Sequence, residues 1–261
     1  MICCGIWGND KSGKSSLALS FPKPIHHFEF DLGGYDRAIR RFTKERDDGL
    51  ITSEPFIIGN MNEVTIKQSK IIVGAKELWY EFLVKYLRFL NDKDIITGVI
   101  DTGTLLYNLD CDAFLQEKQE IQFDSKGNLL PNERLRAILQ PPEYREPNTR
   151  MRGIIYQAKA HGKNLVLVHH SRDEYKSTLD RKTGEIKEAK TGEKERSGFA
   201  SLGDSTDLML HTYTKQNRET KATEFYCKVD EQSVPPGLVD MEFENPTYDK
   251  IMDATRMIQG E

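Results

Sequence analysis

The chain has 261 residues, 38% of them hydrophobic and 30% charged, with 37 Lys and Arg against 41 Asp and Glu for a formal charge of −4. That is long enough to bury a core of its own, too apolar for a disordered chain and too polar for a membrane protein. The slight acidity excludes a general nucleic-acid coat and leaves room only for a local basic groove.

Met1–Trp7 reads as a short buried strand, with no basic segment before it of the kind that opens a signal peptide. Ser15–Ser20 opens a helix, which Pro22 and Pro24 break before a second strand at Ile25–Asp31. Gly33-Gly34 then turns the chain into a charged helix around Tyr35–Glu45, and Pro55–Gly59 is a further candidate strand. Lys76–Leu90 is the clearest amphipathic helix, with Leu78, Trp79, Phe82, Leu83, Tyr86, Leu87 and Leu90 on one stripe. Ile95–Asp101 is a continuous apolar strand that ends in a carboxylate, and Gly103–Gln119 is helical. Residues 110–148 read as an insertion, with a polar connection at Phe123–Asn132 and a proline-rich loop at Gln140–Pro147.

Thr149–His161 is a helix and Asn164–His169 another buried strand. Arg172–Arg196, with 8 Lys and Arg among 7 Asp and Glu, reads as a mobile charged loop within residues 171–200, with a turn at Asp180–Gly184. Asp207–Thr214 and Glu224–Asp230 form an antiparallel pair around the polar turn Gln216–Lys221. Pro235-Pro236-Gly237 opens a tail, 235–261, that ends in a helix near Tyr248–Met257. Strands apolar along their whole length and alternating with helices predict one α/β domain over residues 1–261. Its sheet is mainly parallel, flanked by helices, with an antiparallel C-terminal hairpin. Cys3, Cys4, Cys111 and Cys227 show neither C-x-x-C nor zinc spacing, which fits reduced thiols in a cytoplasmic protein.

The sharpest motif is Gly8-Asn9-Asp10-Lys11-Ser12-Gly13-Lys14-Ser15, which fits G-x-x-x-x-G-K-[ST] without a mismatch. Glycines let such a loop curl so that successive N–H groups point inward at phosphate oxygens. Lys14 then reaches the β/γ-phosphates of a bound nucleotide, the Ser15 hydroxyl joins the Mg²⁺ shell and Ser16 continues the loop into the helix. An apolar strand before it and Leu17-Ala18-Leu19 after it supply the context the motif needs. Asp101, delivered to the carboxyl edge of the sheet, is the second candidate for the metal. His169 and His170 end a neighbouring strand, where a polar tip can sense the γ-phosphate.

In this order, GNDKSGKSS, HHFEFDLGG, IITGVIDTGT and NLVLVHHSRDEY resemble phage-encoded RecA-like P-loop ATPases of the AAA-domain type, including those linked to single-strand annealing and recombination. The resemblance spans roughly residues 1–214. It implies a RecA-type core, ATP with Mg²⁺, a homo-oligomeric ring or filament, and action on single-stranded DNA in a host cytoplasm. Thr102, not Glu, follows Asp101, a departure from AAA+ and ABC ATPases. The resemblance therefore puts the catalytic base on the strand after the P-loop helix, where a period of two sets Glu29 and Asp31 on one face, Asp31 first and Glu29 second. It also implies a cation supplied by a neighbouring subunit, for which Arg218, Lys228 and Lys215 are candidates. The charged stretch, at 8 − 7 = +1 with Tyr175 as its one aromatic, gives DNA binding little support of its own. Two alternatives stand beside the ATPase: a P-loop nucleotide or small-molecule kinase, and a non-hydrolysing nucleotide-gated scaffold. Asn91–Asp94 reads NDKD, so the base-reading motif of a GTPase is absent.

Overall fold

Strand β1 (Cys3–Gly8) leads through a loop into helix α1 (Lys14–Ala18) and on to β2 (Ile25–Glu29). The computed structural model describes residues 1–59, 71–131, 133–179, 186–232 and 237–259. After β2 come α2 (Gly34–Ala38), a 3-10 turn at Ile39–Arg41, α3 (Thr43–Asp47), β3 (Ile51–Pro55) and α4 (Ala75–Asn91). The middle of the chain forms β4 (Thr97–Asp101), α5 (Gly103–Glu120), a 3-10 turn at Pro141–Tyr144, α6 (Arg145–Ala160) and β5 (Asn164–Leu179). β6 (Ile186–Arg196), α7 (Leu202–Ser205), β7 (Leu208–Gln216), β8 (Thr223–Gln232), β9 (Glu242–Glu244) and α8 (Tyr248–Gln259) complete it.

The sheet runs β3-β2-β4-β5-β1-β7-β8-β9. Every pairing from β3 to β7 is parallel, while β8 and β9 are antiparallel. One strand, β5, separates the loop-bearing β1 from the carboxylate-bearing β4, which is the RecA-like arrangement. Alternation along the strands sorts side chains between two cores. On one face Phe28, Ile100, Leu165 and Leu167 pack under α4, α5 and α6 with Phe82, Leu106 and Ile155. On the other, Ile6, Ile25, Val99, Val166 and Val168 pack under α1 with Leu17 and Phe21. Among the described residues no helix is long and apolar enough to cross a membrane.

Several elements depart from expectation. β3 lies at 51–55 instead of 55–59: Ile51 is buried as its apolar anchor, and Pro55, without an N–H, ends the ladder. The helix expected at 35–45 is split at Phe42, whose extended φ of −132° lets its ring reach the α1-side core. α6 begins at Arg145 because Pro147 falls in its first turn, where no N–H is needed. The start of the expected insertion belongs to α5.

The largest correction is at 171–200. β5 continues past the sheet and pairs with β6 from Ser171↔Arg196 to Leu179↔Ile186, so the charged stretch is a two-stranded ribbon and not a loop. Its alternating signs are cross-strand complementarity: Asp173 bridges Lys190 at 2.7 Å and Lys194 at 2.6 Å, and Arg172 meets Glu195 at 2.9 Å. The Asp180–Gly184 turn, Asn132, Pro235 and Pro236 lie outside the described residues. Within the tail, Ile251 of α8 is buried in the α1-side core.

Candidate functional site

The loop from Gly8 to Ser15 leaves the carboxyl end of β1 and curls back on itself. Its glycines are required. Gly13 has φ +89°, a left-handed value, and a Cβ on Gly8 would fall 2.1 Å from the Thr212 carbonyl of β7. The Thr212 hydroxyl donates to the Trp7 carbonyl at 3.2 Å and accepts from Ser12 Oγ at 2.7 Å, pinning the loop to β7. Lys14 is buried and donates to the carbonyls of Gly8 (3.0 Å) and Asn9 (2.7 Å), so its ammonium lies inside the curl. Burial lowers its pKa, and Asp10, Asp101 and Asp31 oppose that shift. Asn9, Asp10 and Lys11 are exposed at the loop crest, while Ser15 and Ser16 are half-buried at the start of α1.

Asp101 ends β4 on the same face as α1, since Val99, two residues back, belongs to that core. It is buried, and burial by itself would raise its pKa. His27, the Ser15 hydroxyl and the Lys14 ammonium outweigh that and hold the carboxyl below its ordinary value. His27 Nε2 stands 3.5 Å from Asp101 Oδ2, and neither atom has a hydrogen-bond partner. A buried carboxylate kept ionised, with an oxygen unspent and a serine hydroxyl beside it, is a donor set that fits a hydrated Mg²⁺. His27 is the site residue that the sequence reading missed. The period of two that aligned Glu29 with Asp31 puts it on the same face.

The two base candidates separate. Glu29 Oε1 accepts from the N–H groups of Gly33 (2.9 Å) and Tyr35 (3.1 Å), which commits it to the start of α2. Asp31 carries its backbone to Asp101, its N–H donating to the Asp101 carbonyl at 3.1 Å, and its charge bears on Lys14. The histidine pair separates too. His170 turns to the loop, with Nδ1 3.4 Å from Asp10 Oδ1, and Ser171 Oγ donates to Asn9 Oδ1 at 2.7 Å. His169 points to the opposite face, in step with Leu165 and Leu167. There its Nδ1 lies 3.1 Å from the Ser197 carbonyl and 3.3 Å from Thr104 Oγ1. Complete burial, helped by the charge of Arg196, draws its pKa down to about 3, so it is a neutral tie between β5 and the chain leaving β6.

The three hairpin cations, expected to serve a neighbouring subunit's site, lie on β7, β8 and the turn between them. Lys228 is 2.7 Å from Asp240, Lys215 pairs with Glu242 and lies 4.2 Å above the Tyr226 ring, and Arg218 is exposed in the turn.

Strand order and glycine loop together define a RecA-like P-loop fold. No family model matches the sequence, and no curated protein matches it. Among solved structures the chain is similar to a KaiC-like protein from the hyperthermophilic archaeon Pyrococcus horikoshii, at 11% identity and a TM-score of 0.49 over 93% of this chain and 84% of that one. It is also similar to the flagellar accessory protein FlaH from Methanocaldococcus jannaschii, at 10% identity and a TM-score of 0.46 over the same shares.

Proposed function

We propose that the protein binds ATP with Mg²⁺ and hydrolyses it. The observation that carries this reading is the convergence of Lys14, Ser15 and an ionised, buried Asp101 at one sheet edge, from elements far apart in sequence. In this reading Lys14 exchanges its loop carbonyls for β/γ-phosphate oxygens, a trade of neutral acceptors for anionic ones. Ser15 and Asp101 hold Mg²⁺, which supplies charge neutralisation at the phosphates. Asp31 orients the attacking water. His170, tied to the loop through Asp10, is the residue of its pair placed to register the γ-phosphate.

Lys14→Ala tests the reading. Phosphate release should fall to background while circular dichroism and the melting temperature stay close to those of the parent protein. Turnover that survives the change would remove the site. The DNA-directed half of the function, with single-stranded DNA as partner and a homo-oligomer as the working form, rests on the resemblance and on the ribbon that extends β5 beyond the loop. Four of the ribbon's cations, Arg172, Lys176, Lys190 and Lys194, are paired with its own acids, so this reading expects weak, salt-sensitive affinity. An anisotropy titration of single-stranded DNA, with and without ATP and read beside mass by light scattering, decides it. No affinity in either state would leave the ATPase and remove the DNA transaction.

A further inference from the structure

Phe225 sits where the phosphate loop alone does not call for it. It lies on β8 opposite Thr214 of β7, two residues beyond Thr212, whose partner in β1 is Gly8. The ring therefore overhangs the sheet edge beyond the loop, and a Cβ on Gly13 would meet its Cδ1 at 3.1 Å. Phe225 belongs to neither buried apolar cluster and is only half-buried. An aromatic ring held at the mouth of an anion-binding loop, outside both cores, gains little from its own burial. One face carries the guanidinium of Arg41, 5.3 Å from the ring centroid, reaching over from the 3-10 turn after α2.

A cation above an aromatic face marks a surface that also accepts a flat, polarisable ring. Stacking a base there needs two gaps of about 3.5 Å, more than the present separation allows. Arg41 is exposed at the end of a short turn and can move outward to lie on the far side of the base. The loop fixes the phosphate end of the ligand, and Phe225 rests on Gly13, the residue just before Lys14. We infer that Phe225 is the stacking platform for the nucleobase, with Arg41 closing over its other face, so that the site grips a nucleoside triphosphate by the faces of its base. This rests on the nucleotide reading above. Face contact does not separate adenine from guanine, because both present the same kind of π surface.

Calorimetric titration of the full chain with MgATP, MgGTP and magnesium tripolyphosphate tests the assignment, the last ligand having phosphates and no base. Phe225→Ala should weaken ATP and GTP by about tenfold or more and leave tripolyphosphate within about twofold. Phe225→Leu keeps an apolar cover on Gly13 without a π face and should behave like the alanine variant, which separates stacking from damage to the fold. Phe225→Trp should retain ATP affinity, with its added fluorescence quenched by ATP but not by tripolyphosphate. Unchanged ATP affinity in the alanine and leucine variants, or an equal loss for tripolyphosphate, overturns the assignment. Lys14→Ala should weaken all three ligands. Failure of the loop reading therefore appears in Lys14→Ala and tripolyphosphate, and failure of stacking appears in the Phe225 variants.

Discussion

Asp101 at the sheet edge and Asp110 at the seam between α5 and α6 share a local problem. Both are almost inaccessible, at 3% and 0% exposure, and in each Oδ2 has no hydrogen-bond partner. Yet Asp101 is held below its ordinary pKa, while burial pushes Asp110 up to about 7. The difference is in what surrounds the charge. Asp101 receives His27 from β2 and both Ser15 and Lys14 from α1. Asp110 has Arg150 at 3.3 Å, and that guanidinium is divided with Glu117 at 3.0 Å and Glu146 at 3.3 Å, two acids whose own charges repel Asp110. A shared cation does not offset desolvation; several convergent groups do. A carboxylate kept ionised out of water, with an oxygen to spare, marks a working site, whereas a buried acid near neutrality beside a crowded arginine is a packing compromise.

The sharpest way to break that contrast is to remove each charge with little change of shape. Asp101→Asn should lower turnover by about 10²–10³, the range seen when a preorganised electrostatic group is lost. The melting temperature should stay near that of the parent protein. Asp110→Asn, made alongside, should leave turnover unchanged. Steady-state phosphate release from the two variants decides it. Equal losses would mean that the helix seam, not the sheet edge, governs the chemistry.

A second test uses His169, which shares the sheet edge with Asp101 but lies on the face where burial prevails. Its folded pKa is about 3 against an ordinary 6.5, so between those values the unfolded chain takes up a proton that the folded chain refuses. Stability present above pH 6.5 is therefore lost as the pH falls toward 3, by about 2 kcal/mol between pH 7 and 5. His169→Gln keeps a donor for the Ser197 carbonyl and removes the titration. Denaturant unfolding at pH 7 and pH 5 should show the variant losing less stability than the parent protein by about that amount. Identical losses would show that His169 is not held neutral.

These contrasts were unequally legible in the sequence. The loop was readable because its spacing is dictated locally, by positions that only glycine fills, such as Gly13 with its left-handed backbone. Asp101 followed from an apolar strand ending in an acid. The split between His169 and His170 was also available: Leu165 and Leu167 on one side and Val166 and Val168 on the other fix which histidine meets the loop. The ribbon was hidden by its composition, since opposite charges that neutralise one another across two strands look, in one dimension, like a solvated run. The Asp110–Arg150 cluster depends on how α5 and α6 cross, and the contact of Phe225 with Gly13 on the β7/β8 register and on the pairing of β7 with β1. No local pattern encodes either.

The smallest expected effect tests the seam itself. The folded pKa of Asp110 stands above its ordinary 3.8, so its contribution is intact below that value and is lost as the pH rises through about 7. Replacing it with Asn removes the penalty of an ionisable group in the seam and leaves Arg150 its contacts with Glu117 and Glu146. The variant should therefore gain stability at pH 8, by about 1 kcal/mol or more, and the gain should vanish near pH 4, where the carboxyl is neutral in the folded chain. Denaturant midpoints at the two pH values measure it. A loss at pH 8 would mean that Asp110 is ionised and well paired after all, and the two aspartates would then differ in location rather than in kind.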